Sequence, residues 1–285
     1  MIWIVTDSAQ EYERDPERGF EVIDLPMLLN GKPMKGKMED SEFYDCLADS
    51  NCELKTSQPS PAVLESVFSD LTARGDEVIA ILVSSTLSGT FNSARLAAAD
   101  LNGVYLVDSH QACLSQSALV AYALQLRDEG KSSSEIVENL EEAKKRVKLL
   151  AVLPSLAQLK KGGRISPLKA AAADLANIKP VLTIDDNGDV DVCGKTRGMK
   201  KAIHQCAKLA VHAGIDLSMP VVLAISGPDS GSAELLRKNL EEELEAATGE
   251  KVTIDAPVHP LSRMLIIHTG VGGTGVGFFC KEKSE

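Results

Sequence analysis

Along this chain, short apolar runs of strand length alternate with longer stretches whose apolar residues recur at helical spacing. That alternation predicts an α/β fold. Residues 2–6 (IWIVT) read as a first strand and 21–25 as a second. Helices are expected over 41–48 and 61–74, the latter opened by the N-cap and N1 pair Ser60-Pro61. A strand over 78–83, a helix over 90–101, a strand over 104–107 and helices over 114–127 and 134–147 follow. After the apolar run 149–153 the texture changes. The loop KKGGRIS leads into an alanine-rich helix over 168–176, then strands over 180–184 and 190–193 on either side of DDNGD. The Asn187-Gly188 pair there is a hairpin signal, so antiparallel pairing is expected in this half. Helices over 199–213 and 232–247 flank a strand over 221–225, with further strands near 252–254 and 276–280. The pattern predicts two α/β domains: residues 1–155 with a mostly parallel sheet, and 156–285 with a mixed sheet and helices.

Composition narrows the function classes. A net charge of −11 argues against general nucleic-acid binding, which needs clustered Lys and Arg on one face. The start, MIWIVTDSA, carries no basic region and no long apolar segment. No apolar run approaches the ~20 residues of a membrane span, so no membrane insertion and a cytoplasmic location are expected. The six cysteines are scattered without a CxxC pair, so reduced, mostly buried thiols are expected. His204 and His212 stand eight apart and no HExxH occurs, so neither a metal nor a cofactor is expected.

The candidate chemistry sits in hydroxyl-rich runs placed where helices begin, TSQPSP (56–61) and SSTLSGT (84–90). The second follows a strand and opens a helix. Such a loop gathers backbone N–H donors and the positive end of the helix dipole, and hydroxyls there suit a carboxylate or phosphate. Thr56 and Ser57 either contact an oxyanion or merely cap the next helix. In the second run Gly89 permits close backbone approach beside five hydroxyls, among them Ser88 and Thr90. Ser88 as a nucleophile would need a distant His folded against it, because Thr86 replaces the first glycine of a GxSxG elbow. The run HTGVGGTGVG contains a GxGxxG spacing, but the ten residues after Gly275 leave no room for a dinucleotide fold. It reads instead as a glycine loop allowing close approach, with His268 before it either structural or facing a head group. Residues 160–201 hold nine basic residues against five aspartates, a local charge of +4. They form either a solvated surface or a dock for phosphate, with Arg164 and Arg197 the best forks for its oxygens.

Taken together and in order, TDS at 6–8, TSQPSP, STLSGTFNSA, VDS at 107–109, LKKGGRIS, IKPVL, KTRGMKKA and HTGVGGTGVGFF resemble the DegV family over the whole chain. That resemblance implies two α/β domains clasping one buried long-chain fatty acid. It further implies presentation of the acid's carboxylate to an ATP-dependent fatty acid kinase subunit, the chain itself being the acyl carrier and no enzyme. Carried over by motif, Thr56 and Ser88 resemble the carboxylate's hydrogen-bond partners, with Gly89 and Thr90 as neighbouring loop contacts and His268 near the head group. Arg164 and Arg197 resemble the arginines near the phosphate position or the kinase surface. The chain departs from the family pattern at HQACLSQSA after VDS, at GVGG where GPG is usual, and in the acidic segment 11–18. The energetics agree with the resemblance, since each buried methylene contributes ~0.8 kcal/mol. Two other readings stay open: a hydrolase or acyl transferase with a Ser88–His268 dyad, and a lipid-responsive module whose basic island docks a non-kinase partner.

Overall fold

The computed structural model describes residues 1–34, 36, 38–166, 177–228 and 230–282. Two main sheets organise it. The first is parallel, in the order β2-β1-β6-β7, from β1 (Ile2–Asp7), β2 (Phe20–Ile23), β6 (Glu77–Leu82) and β7 (Val104–Asp108). The second is mixed, in the order β10-β9-β8-β13-β11-β12. Its strands are β8 (Val147–Val152), β9 (Ile178–Ile184), β10 (Val190–Arg197), β11 (Val222–Ile225), β12 (Val258–Pro260) and β13 (Thr274–Phe279). A small antiparallel sheet, β4-β3-β5, is built from β3 (Met27–Leu29), β4 (Lys32–Pro33) and β5 (Leu54–Thr56).

Alternating side chains of β1 explain how the first sheet is covered. Trp3 and Val5 face α2 (Pro61–Thr72) and α3 (Thr90–Ala97), packing on Leu64, Phe68 and Ala94. Ile4 faces α4 (Cys113–Asp128), and α5 (Ser133–Ala143) covers the same side. Helix α4 also packs on β8, β11 and β13 of the second sheet. Leu114 to Val120 is buried without a break, so the helix carries no charge on any face over that stretch, and its one amide there, Gln116, bonds Asp7. The far face of the second sheet is covered by α7 (Met199–His212) and α8 (Gly231–Thr248) through Ala202, Ile203, Leu236 and Leu240. The result is a helix–sheet–helix–sheet–helix stack with α4 in the middle layer.

The glycines of β13 make that middle layer possible. A Cβ at Gly277 would overlap the Leu114 carbonyl, and one at Gly275 would lie 2.7 Å from the Leu150 carbonyl oxygen. The glycine run is thus a place of close approach, as expected. It leads into a strand, as no dinucleotide-binding loop does.

Several expected elements moved. The helix over 134–147 ends at Ala143, because Val147 begins β8 and pairs with Phe279 of β13. The strand near 252–254 is absent. Arg237 and Glu241 of α8 take the Ile254 carbonyl and N–H instead, and pairing with β11 occurs at Val258–Pro260. The helix from Thr90 stops at Ala97. The alanine-rich helix over 168–176 lies outside the described residues. The Asn187-Gly188 hairpin forms, with Asp185 N–H bonded to the Asp189 carbonyl and β9 antiparallel to β10. The all-thiol expectation fails at one pair. The end of α1 (Asp40–Ala48) and the following turn bring Cys46 and Cys52 to a Cα separation of 5.2 Å, and a disulfide joins them. Cys113, Cys193, Cys206 and Cys280 are free, with Cys206 fully buried and Cys193 exposed.

Gly277→Ala should destabilise the protein by roughly 3 kcal/mol, as overpacking of a close contact does. Urea unfolding measures it. A loss below roughly 0.5 kcal/mol, typical of an indifferent surface site, would show that β13 and α4 are not in hard contact.

Candidate functional site

A narrow cavity opens between the carboxyl ends of the parallel strands, the second sheet and α9 (Arg263–Thr269). About 130 Å³ is open to the centre of a water molecule, and about 1040 Å³ is free of protein atoms when the mouth is counted. The walls are mostly aliphatic, from Leu25, Leu149, Leu153, Leu182, Ile184, Ala224 and Met264 among others. Polar groups gather among Thr56, Ser57, Ser88, Arg164 and His268. An apolar slot with a few convergent polar groups is the usual form of a small-molecule site.

Each polar member is placed by its element. Thr56 ends β5, held by pairing to Met27, and Ser57 N–H donates to the Pro26 carbonyl. The helix cap in this run is Ser60, which accepts from Val63 N–H at 3.4 Å, so Thr56 and Ser57 are left to line the cavity. Thr56 Oγ1 lies 2.7 Å from His268 Nε2. Ser262 caps α9 by accepting from Leu265 N–H, and the helix carries His268 one turn beyond. Burial first, and then the nearby Arg164 charge, push the His268 pKa down to about 4. The imidazole is therefore neutral at neutral pH. Its Nδ1 is buried without a partner among the described residues, facing Gly162, where a Cβ would come within 2.6 Å.

The hydroxyls of SSTLSGT divide between two tasks. Ser84 and Thr86 donate to the Gly188 carbonyl at 2.9 and 2.7 Å, pinning the β9–β10 hairpin across the molecule. Gly188 has a φ of 82° and room for no side chain there, so only glycine suits this turn. Ser88 and Thr90 pair with each other at 2.8 Å, and Ser88 faces the cavity. Gly89 precedes α3 beneath the Gln58 side chain, which would overlap any Cβ, while Gln58 Nε2 donates to Ser93 Oγ at 3.0 Å. Arg164 Nε donates to the Leu87 carbonyl at 3.2 Å. Arg197 is exposed at the end of β10 and lines none of this cavity. His268 and Ser88 have other partners, so no Ser–His dyad is assembled.

A buried carboxyl, Asp7, and a half-buried one, Glu11, brace the cavity from outside. Asp7 accepts from Val83 and Ala9 N–H groups and from Gln116 Nε2, tying β1, β6 and α4 together. Burial raises its pKa to about 6. Glu11 accepts from Ser262 N–H at 3.0 Å and from the Cys113 thiol, linking the N-terminal loop to the cap of α9. Burial pushes its pKa up to about 8. Neither role is visible in the sequence, because Asp7 reads only as part of TDS and Glu11 only as part of an acidic run. Gln58 was missed for the same reason. The RMLIIHT run after Ser262 was the one available signal for α9.

The match to known proteins follows this geometry. The sequence profile described as "Uncharacterised protein, DegV family" matches residues 1–281. The chain belongs to the DegV family. A DegV domain-containing protein of Caldanaerobacter subterraneus subsp. tengcongensis is 32% identical over 288 residues, covering 99% of each chain. Among solved structures, a fatty-acid-binding DegV family protein of Thermus thermophilus superposes with a TM-score of 0.84 at 29% identity, covering 98% of this chain and 99% of its own. A Streptococcus pneumoniae protein described as the fatty acid kinase B3 protein loaded with linoleic acid shares the fold. Its TM-score is 0.82 at 24% identity, with 99% and 100% of the chains covered. The two-sheet α/β architecture read from the sequence is the architecture of these DegV structures. Among the described residues no helix is long and apolar enough to cross a membrane, and no group of three or more His, Cys, Asp or Glu is placed to hold a metal ion.

Because unfolded His268 protonates near 6.5 and the folded residue near 4, the unfolded chain binds the extra proton in that window. The unliganded protein should therefore lose stability as pH falls from 6.5 to 4, by roughly 3 kcal/mol from this residue. Asp7 and Glu11, with raised values, slope the other way, so the quantity to measure is the difference between wild type and His268→Gln. Parallel stability curves for the two would contradict a neutral, buried His268.

Proposed function

We propose that this DegV protein binds one long-chain fatty acid in the cavity and presents its carboxylate to a partner ATP-dependent fatty acid kinase. The observation that carries the reading is the apolar slot with hydroxyls of two separate loops, Thr56 and Ser88, beside a neutral imidazole. The fatty-acid binding described for the Thermus thermophilus protein supports the same ligand class. The kinase step rests on the motif resemblance. In this reading the chain is a cytoplasmic carrier and no enzyme, and it needs no cofactor.

The chemistry follows from the donors. With Nε2 protonated, His268 donates to Thr56 Oγ1 and leaves the threonine proton free for a ligand oxygen. Ser88, with Gly89 and Thr90 beside it, meets the same head group from the α3 loop. A buried carboxylate is costly unless hydrogen-bonded, and hydrogen bonds to a charged acceptor are the stronger kind. Arg164, held at the mouth by the Leu87 carbonyl, adds positive charge where a phosphoryl group would arrive. Arg197 is assigned to the exposed face offered to the kinase.

Mass spectrometry of the denatured protein should release a stoichiometric long-chain fatty acid. The double variant Thr56→Ala, Ser88→Ala should bind it more weakly by on the order of 100-fold, as two lost bonds to a charged group predict. A protein that binds no fatty acid, or a double variant with unchanged affinity, would reject the ligand or the site respectively.

A further inference from the structure

The small sheet and α1 form a flap that brings Thr56 to the cavity. Arg263 of α9 holds the start of α1 through the Met38 carbonyl, Asp40 and the Phe43 ring, but among the described residues the far end of α1 has no such anchor. Helix α1 has nine residues, its N-cap Glu39 makes no side-chain capping bond, and only Phe43 and Cys46 along it are buried. Isolated helices of that length are marginal in water. The flap rests on α9 through Phe43, Cys46 and Leu54 against Ile266 and Ile267. Two residues after Cys52, β5 begins, and its last residue is the Thr56 that meets His268. The Cys46–Cys52 disulfide therefore ties the end of α1 to the start of the strand that carries a head-group residue.

The pair is placed to open and close without rebuilding the backbone. Its Cα separation of 5.2 Å lies inside the ordinary disulfide range. Cys46 is buried in the flap cluster, whereas Cys52 is half-buried at the end of a turn in which its N–H bonds the Asp49 carbonyl. Cys52 is thus the sulfur that a small thiol or disulfide reaches, and Cys46 is the resolving partner.

We propose that Cys46 and Cys52 form a reversible thiol–disulfide pair whose state sets how firmly the flap holds Thr56 at the cavity, and so how fast bound ligand leaves. The oxidant is a low-molecular-weight disulfide. The Cys52 thiolate attacks one of its sulfurs and expels one small thiol, which takes up a proton. The Cys46 thiolate then attacks the Cys52 sulfur of the mixed disulfide and expels the second. Two protein thiols and one small disulfide become one protein disulfide and two small thiols, and excess small thiol reverses both steps. Opening the link restores freedom to the 47–51 turn and loosens β5 from α9. The ligand-release part rests on the fatty-acid reading above; the flap part does not.

The test equilibrates the full-length protein in graded mixtures of reduced and oxidised glutathione. Alkylation with mass spectrometry reads the fraction of disulfide, hydrogen exchange reads residues 54–56, and displacement of a fluorescent long-chain fatty acid reads release. In the reduced state, exchange and release should both quicken, by about fivefold or more for a coupling of ordinary strength. Cys52→Ser should be fast in every buffer; should it not fold, the wild-type titration alone decides. A pair that stays in one state throughout, or two states with equal exchange at 54–56, would overturn the proposal. Redox-dependent exchange in a protein that binds no fatty acid would uphold the switch while rejecting the ligand.

Discussion

Helix α4 is the member on which both sheets depend. It lies against β1 and β6 on one side and against β8, β11 and β13 on the other, so removing it from either sheet would open the core of both. Close-packed interiors tolerate such double contact only where side chains on one partner are absent. Gly277 supplies that absence by letting the β13 backbone rest on the Leu114 carbonyl. The buried serines Ser115 and Ser117 fit the same demand, being small and satisfied by carbonyls of the helix's own first turns.

The cavity is a consequence of that stack and not a separate feature. The N-terminus of α4 stops short of filling the wedge between the sheets, and Ala112, Cys113 and Leu114 become part of the cavity wall. Its other wall is α9, which Glu11 of the N-terminal loop secures by accepting from Ser262 N–H. A desolvated carboxyl takes a proton more readily than usual, and this one is raised to about 8. Desolvation inside the wedge, with the Arg164 charge nearby, likewise keeps His268 an imidazole and not a cation. A neutral ring that orients a hydroxyl suits reversible binding of an anion better than a buried ion pair, whose desolvation offsets much of its attraction.

Much of the fold was legible in the sequence. The alternation of apolar runs and helical periodicity located β1, β2, β6, β7, α2, α4 and α7 to within a few residues, because each buries a continuous face and periodicity reports burial. Elements with little face of their own were missed. β3, β4 and β5 are two or three residues long and form only because they pair with one another and lie on α9. The end of α5 was misplaced because KKRV continues a helical pattern locally, while pairing with β13 claims Val147 for a strand.

The sequence by itself determined the α/β class, the Asn187-Gly188 hairpin, the Ser60 cap and an ordered set of motifs that marks the family. These are local matters, governed by dihedral preference, turn chemistry and periodicity over a few residues. Only the tertiary structure decided how the hydroxyls are used. Ser84 and Thr86 clamp a hairpin about a hundred positions away, Ser60 caps a helix, and Thr56 and Ser88 remain for the cavity. Thr56 meets His268 across 212 positions. Such pairings depend on how whole layers stack, and a residue's own neighbours in sequence carry no record of that.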